Sequence, residues 1–305
     1  MHRDIVIVGG GPAGLTAAEL LAQQGLAVGL VHKGPLGGEL PSLLWVDGVP
    51  GLDAPINGAE LASQLIDRAQ AAGVTFISRE ATALELYSRS AVVALSGHGF
   101  VQGSAVVLAM GRRRTLGKDF HKFEGRGLIG CTACDAGFYR GETVVVCGAG
   151  HGGAIDAINL AIHAERVILV ERSNELGCSP ELAEQLHRNA VIEIMLSSEV
   201  SGAGATVSGA IDAVHVNMKD VGPRTLPATG LSIQVGRMPE TEFLDSGVDL
   251  DREGLVETDE CCRIPASRIF AIGEVRAGSA RTFASAISDA RAAAQSILSN
   301  FSGMA

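Results

Sequence analysis

Ile5-Val6-Ile7-Val8 runs directly into Gly9-Gly10-Gly11-Pro12-Ala13-Gly14, and this junction decides the fold. A short apolar run ending in glycine reads as a buried parallel strand. Pro12 to Gln24 then reads as an alanine-rich helix and Ala27 to Val31 as a second strand. Strand, glycine turn, helix and strand form the opening βαβ unit of a doubly wound sheet. Glycines at 9, 11 and 14 permit a tight bend, close approach of backbone to a pyrophosphate, and close helix–strand contact. The helix start then offers free N–H groups and a partial positive charge to the phosphates. The stretch is expected to bind a dinucleotide. The acidic residue that usually follows about 20 positions on, to hold the adenosine ribose, is missing; His32 and Lys33 occupy that region.

A second fingerprint lies deeper in the chain. Thr143-Val144-Val145-Val146-Cys147 leads into Gly148-Ala149-Gly150-His151-Gly152-Gly153, with glycines 148, 150 and 153 repeating the spacing. Glu171 ends the strand expected at 167–170. A carboxylate there accepts the ribose hydroxyls of NAD and repels a 2′-phosphate. NADH is therefore favoured over NADPH, with Arg172 the one neighbour favouring the latter; a vestigial turn is the alternative. His151 is either a cofactor contact or an ordinary polar loop residue.

Around these turns, helical spacing appears at 58–72, 153–163, 182–189 and 282–298. Strand-like runs appear at 74–77, 82–87, 91–95, 104–109, 191–195 and 268–272, and 199–218 alternates like a hairpin about Ser208-Gly209. Gly111 to Gly117 reads as one crossing between domains, and Gly222-Pro223 with Pro227 as the other. The expected fold is α/β, with two Rossmann-like three-layer dinucleotide-binding domains, the second inserted in the first. The outer domain would comprise 1–112 plus 226–305 and the inserted one 113–225, with the two crossings as the expected hinges.

Composition narrows the function. The chain has 305 residues, 47% apolar and 19% charged, long enough for two full cores and too apolar for disorder. Its net charge of −10 argues against a nucleic-acid partner, which wants clustered Lys and Arg. No apolar stretch approaches the ~18 residues of a membrane span. The N-terminus enters a strand without signal-peptide features. A cytoplasmic location is expected.

Six cysteines are too few and scattered for a secreted disulfide scaffold. Cys131-Thr132-Ala133-Cys134-Asp135 precedes the second fingerprint. The pair can be structural, zinc-bound or redox-active. Zinc needs about four ligands, and no second Cys-x-x-Cys or histidine pair stands near, so redox activity is the favoured reading and no metal is expected. Two intervening residues allow a disulfide across one helical turn, and a helix start lowers a thiol pKa. Asp135 is a candidate proton shuttle or, equally, a helix-cap carboxylate. Near the end, Ala271-Ile272-Gly273-Glu274 makes a strand and acidic turn, and Arg281-Thr282-Phe283-Ala284 opens a helix. A helix start aimed at a flavin pyrimidine stabilises negative charge near N1 of the reduced ring.

In this order the motifs resemble those of the low-molecular-weight thioredoxin reductases, over essentially the full length. The matching pieces are Gly9 to Gly14, the Gly37-Gly38-Glu39-Leu40 turn, Pro50-Gly51 and Ala109-Met110-Gly111. They continue through Cys131 to Asp135, Phe138-Tyr139-Arg140-Gly141, Ile233 to Pro239, and Ala271 to Glu274. The resemblance implies FAD in the outer domain, a pyridine nucleotide in the inserted one, and a homodimer. FAD contacts then fall on Gly9, Gly11, Pro12, Ala13, Gly14, Gly38, Glu39, Leu40, Gly111, Gly273, Glu274, Arg281, Thr282, Phe283 and Ala284. NAD(P) contacts fall on Gly148, Gly150, His151, Gly153 and Glu171. It further implies that Cys134 faces the flavin and Cys131 attacks the substrate, a thioredoxin-like protein or a small-molecule disulfide. The chain is a divergent member: Glu171-Arg172-Ser173 stands where NADPH users of the family carry His-Arg-Arg. Glu274 replaces an Asp, and Arg281-Thr282-Phe283-Ala284 replaces Arg-Gln-Ala. These departures leave open a second function, a dithiol oxidase passing electrons from a small molecule through FAD to oxygen without nicotinamide.

Overall fold

The computed structural model describes residues 1–114, 119–244, 247–265 and 267–301. The chain divides into two compact units, Met1–Arg113 with Met238–Ala305, and Arg114–Arg237.

In the first unit, β1 (His2–Val8), α1 (Pro12–Ala22) and β2 (Val28–His32) form the opening βαβ unit. The chain continues through α2 (Gly58–Ala71), β3 (Thr75–Ser78), β4 (Ala81–Leu86), β5 (Ala91–Leu95) and β6 (Phe100–Leu108). Strands β3, β2, β1 and β6 lie side by side in parallel, and β5 and β4 extend the sheet antiparallel. Strand β6 is long enough to serve two partners along one edge. Its first half, Phe100 to Gly103, pairs with β5; its last residues, Val106 to Leu108, pair with a strand from the chain's far end. Central β1 reads as continuous apolar sequence because both its faces are covered: Ile5 and Ile7 join one core, Val6 and Val8 the other.

Helix α1 presses alanines and Leu15 and Leu21 into that first core. It also carries Glu19, only 6% exposed. The Arg68 guanidinium of α2 neutralises it, donating through Nε and one terminal nitrogen at 2.8–3.1 Å. Asn57 starts α2 by accepting from the Ala59 and Glu60 N–H groups.

The chain leaves the first unit through β7 (Arg112–Arg114). The expected hinge at 111–117 lies partly outside the described residues, since 115–118 are not among them. The second unit holds β8 (Leu128–Ile129), α3 (Thr132–Asp135), β9 (Thr143–Cys147), α4 (His151–Ala161) and β10 (Arg166–Val170). It continues with α5 (Pro180–Arg188), β11 (Ile192–Met195), β12 (Ser198–Ala205), β13 (Ile211–Met218), β14 (Gly222–Pro227) and β15 (Gly230–Ile233). Its parallel sheet has the order β11-β10-β9-β15-β8, and β12-β13-β14 form an antiparallel meander beside it. Here the structure differs from the expectation for the second crossing. Gly222-Pro223 and Pro227 lie in β14, which zips along β13 from Met218 to Ala213. Residues 230–233 then fill the sheet position between β9 and β8. Residues 226–237 thus belong with the second unit, and the chain returns at Arg237/Met238. Pro227 is tolerated because β14 is an edge strand, where a missing N–H costs no ladder bond.

After β16 (Arg237–Pro239), the first unit is completed by β17 (Ile269–Ala271) and α6 (Phe283–Phe301). Strand β17 adds to β6, and α6 buries Ala290, Ala293, Ala294 and Ile297 in the core shared with α1. No helix among the described residues is long and apolar enough to cross a membrane.

Candidate active site and nucleotide turns

In both glycine turns the three glycines do separate work. Gly9 has φ +113, and a side-chain carbon on it would lie 2.2 Å from the Ala109 carbonyl oxygen. Gly14 faces inward: a Cβ there would sit 2.0 Å from the Gly9 oxygen, so α1 can lie against β1 only if residue 14 is glycine. Gly11 faces open space, with nothing within 4 Å. The second turn repeats this: Gly148 at φ +98 meets Val235, Gly153 meets the Gly148 oxygen at 1.7 Å, and Gly150 is open. The open glycine is the place where backbone can approach a ligand without a methyl in the way.

The helices that follow are uncapped in the same manner. Gly11 and Gly150 are the N-cap residues of α1 and α4, with no capping side chain and no acidic residue in the first turn. By contrast α2, α3 and α5 are each capped by a side chain, from Asn57, Cys131 and Ser179. Uncapped first-turn N–H groups beside an open glycine are chemically suited to phosphate oxygens.

Other expected contacts gather at the first turn. The Gly37 N–H donates to the Gly10 oxygen, and Gly38 approaches so closely that a Cβ would lie 3.1 Å from Gly11 Cα. Leu40 is buried beneath the turn and Glu39 is exposed beside it. Gly273 abuts Ala13, where a Cβ would lie 3.1 Å from the alanine methyl. Met110, which precedes Gly111, would meet a side chain on Gly9. At the start of α6, Thr282 and Ser285 form a reciprocal capping box, each side-chain oxygen accepting the other's N–H. Phe283 is half-buried against the core, Ala284 is exposed, and Arg281 (φ +59) pairs with Glu253 at 3.1 Å.

A residue the sequence reading passed over organises this final turn. Buried Asp289 on α6 accepts the Gly273 N–H at 3.0 Å and Arg276 at 2.8 and 3.1 Å. The Cys262 thiol lies against it. Burial, then the Asp289 carboxylate, pushes this thiol up to about 12.

In the second unit, Glu171 faces the second turn. One carboxylate oxygen accepts the Ala149 N–H at 2.6 Å and the other the Ser173 N–H at 2.9 Å. Its acidic group is thereby fixed at the mouth of the open Gly150. Cys147, at the end of β9, is pushed up to about 11 by burial first and by Glu171 next. His151 is the exposed first residue of α4.

The same unit carries the cysteine pair. Cys131 and Cys134 form a disulfide across α3, with their Cα atoms 5.3 Å apart. Cys131 is the N-cap of α3, and its sulfur accepts the Cys134 N–H at 3.1 Å. Once the bond opens, that N–H favours a thiolate on Cys131. Cys131 is half-buried and Cys134 exposed. Asp135 is the last residue of α3 and stands at the N-cap position of the 3-10 turn Ala136–Tyr139, where its side chain makes no capping hydrogen bond. Its charge, after burial, raises the pKa of Tyr139. The Tyr139 ring lies over β15, where a side chain on Gly230 would come within 2.5 Å of it. Phe138, between them, is 84% exposed.

Two Rossmann-type units, each with a glycine turn shaped for a dinucleotide, and a disulfide at a helix start define a pyridine nucleotide-linked redox flavoprotein. Comparison with known proteins agrees. Residues 3–295 match the family of pyridine nucleotide-disulphide oxidoreductases, and the chain belongs to that family. It is 30% identical to a thioredoxin reductase of Treponema pallidum over 302 residues, covering 97% of this chain and 96% of the relative. It is 29% identical to that of Listeria monocytogenes over 298 residues, covering 96% and 92%. Among solved structures, the T. acidophilum thioredoxin reductase superposes with a TM-score of 0.90 at 26% identity, covering 98% of each chain. The Lactococcus lactis thioredoxin reductase matches in fold with a TM-score of 0.91 at 24% identity, covering 97% of this chain and 98% of its own. The protein is an FAD-dependent disulfide oxidoreductase of the thioredoxin reductase type.

Proposed function

We propose that the protein passes electrons from NADH, through FAD, to the Cys131–Cys134 disulfide and on to an external disulfide, a thioredoxin-like protein or a small molecule. The observation that carries this reading is the disulfide whose first sulfur receives a helix-start N–H, in the same unit as the second dinucleotide turn. FAD, when bound, supplies the two-electron link between nicotinamide and disulfide. Its pyrophosphate would lie at the open face of Gly11 against the uncapped start of α1, with Pro12, Ala13 and Gly38 lining the approach. Gly111, Glu39, Leu40, Gly273, Glu274 and the start of α6 at Arg281 to Ala284 would complete the cradle.

When two electrons reach the pair, the S–S bond breaks and the Cys131 sulfur leaves as a thiolate, held by the Cys134 N–H. This thiolate attacks one sulfur of the substrate disulfide, forming a mixed disulfide and expelling the first substrate thiolate. The Cys134 sulfur then attacks Cys131, which restores the internal bond and releases the second substrate thiolate. Asp135 is the group proposed to hold the proton exchanged with the cysteine pair, because it adjoins Cys134 in the chain. Gly148, Gly150, His151 and Gly153 would receive the nicotinamide nucleotide. Glu171 selects NADH over NADPH, since its fixed carboxylate would repel a 2′-phosphate.

One observation favours a second reading, a dithiol oxidase. Glu171-Arg172-Ser173 offers no paired basic residues for the 2′-phosphate of NADPH. Anaerobic mixing of the FAD-loaded protein with NADH, NADPH or a small dithiol, followed by flavin absorbance, decides between them. Rapid bleaching by NADH supports the reductase. Bleaching by dithiol alone supports the oxidase, and no bleaching by any of the three overturns both.

A further inference from the structure

Beneath the disulfide lies a polar cluster that none of the steps above uses. Thr132, between the two cysteines, is 2% exposed and donates its hydroxyl to Asp156 Oδ1 at 2.7 Å. Asn159, one turn further along α4, donates to the same Thr132 hydroxyl oxygen at 3.3 Å. The other Asp156 oxygen accepts from the Ser232 hydroxyl at 2.6 Å and from the Gln234 side-chain amide. Asp156, Asn159 and Ser232 are all at most 5% exposed. A carboxylate in such a place is costly to bury and is seldom kept for stability alone. What this one does is geometric: it joins the dithiol turn α3, the helix α4 that begins at the second glycine turn, and strand β15.

We propose that Asp156 is a positioning residue for the Cys131–Cys134 pair, acting through Thr132 to hold the two cysteines at the separation where they close, and so weighting the pair toward the disulfide. The inference rests on the reading of this pair as the redox centre. The reasoning is that of effective concentration: two groups fixed near their bonded geometry lose little freedom when the bond forms. Loosening the residue between them lowers that effective concentration and makes the disulfide easier to reduce. Removing the carboxylate charge acts in the same direction, because a nearby negative charge disfavours the thiolate of the reduced pair.

The test is the equilibrium between the FAD-loaded protein and glutathione buffers, in which two glutathione thiols are oxidised as the protein disulfide becomes a dithiol. The alkylated fraction of the peptide carrying Cys131 and Cys134 is read by mass spectrometry. Thr132→Val should shift the equilibrium constant about tenfold toward the dithiol, as expected for loss of one hydrogen bond to a charged group, or about 30 mV for a two-electron couple. Asp156→Asn should shift it in the same direction. Thr132→Ser, which restores the hydroxyl, should stay within about threefold of the parent. The inference is overturned if Thr132→Val and Asp156→Asn hold their flavin and thermal midpoint yet stay within about twofold of the parent. It is equally overturned if Thr132→Ser, which keeps the hydroxyl, shifts about tenfold from the parent, a criterion that holds even should the other two fail to fold. A parent disulfide that does not exchange with glutathione at all would refute the redox reading itself, a separate outcome.

Discussion

Gly11 and Gly14 stand three residues apart in one turn, yet replacing each with alanine should break different things. A methyl on Gly14 would lie 2.0 Å from the Gly9 oxygen, and since real contacts of this kind do not fall under 3.0 Å, α1 would have to move about 1 Å off β1. That motion pulls Leu15, Ala17 and Leu21 out of register with the core. Overpacking against backbone costs about 1–3 kcal/mol, so the cofactor-free protein should melt earlier. A methyl on Gly11 meets nothing within 4 Å, and the residue's φ of −80 suits alanine. Its cost to the empty fold is a weaker N-cap, below about 1 kcal/mol. It would, however, fill the space through which phosphate oxygens reach the first N–H groups of α1. Loss of one such charge-assisted bond costs about 1.5–3 kcal/mol, roughly a 10- to 100-fold rise in Kd. Apoprotein titrated with FAD by fluorescence quenching, with melting followed by circular dichroism, separates the two. Wild-type FAD affinity in Gly11→Ala would refute the placement of the pyrophosphate. Unchanged apoprotein stability in Gly14→Ala would refute the packing argument.

Three further outcomes follow from the same geometry. Glu171→Ala frees the Ala149 and Ser173 N–H groups and should narrow the preference for NADH over NADPH about tenfold or more, read as the ratio of flavin reduction rates with the two nucleotides. The Cys147 and Cys262 thiols are neutral in the folded protein up to about 11 and about 12, whereas in the unfolded chain they ionise near 9. Raised folded values mean stability is intact below pH 9 and declines as pH climbs toward 11–12. Urea midpoints across pH 8–11 should fall, and in native protein at pH 8 iodoacetamide should label Cys261 while sparing Cys262. Arg276→Ala leaves the buried Asp289 carboxylate without its cation. This should destabilise the protein by about 3–5 kcal/mol, measured by denaturant unfolding.

Much of this architecture was legible because glycine spacing and apolar runs record local backbone demands. The tight bend expected at Gly9 corresponds to its φ of +113, and the close helix–strand contact expected at Gly14 to the 2.0 Å between a Cβ there and the Gly9 oxygen; at Gly11 there is open space. The second crossing was harder. Gly222, Pro223 and Pro227 look like breakers in one dimension, but an edge strand asks only that its partner-facing groups be intact, and β14 meets that condition. The polar cluster behind the disulfide was invisible for a different reason. Asp156 and Asn159 are the two polar residues of α4 beyond its first residue, His151, a faint signal at best. Their partners Thr132, Ser232 and Gln234 come from segments brought together only by the parallel sheet. Asp289 is hidden in the same way, since its partners, the Gly273 N–H and the Arg276 guanidinium, lie in the turn 16 and 13 residues before it.

Because Arg114–Arg237 is one uninterrupted stretch, it can close its own sheet as soon as it has emerged during synthesis. The surrounding unit cannot, since the half-edge of β6 that ends at Leu108 waits for Ile269–Ala271, and α1 waits for α6. Assembly on the ribosome is thus ordered from the middle outward, with domains folding as units. A product truncated before residue 269 would carry a finished inner module beside an outer one with a bare hydrophobic strand margin, the kind of surface that recruits other chains into aggregates.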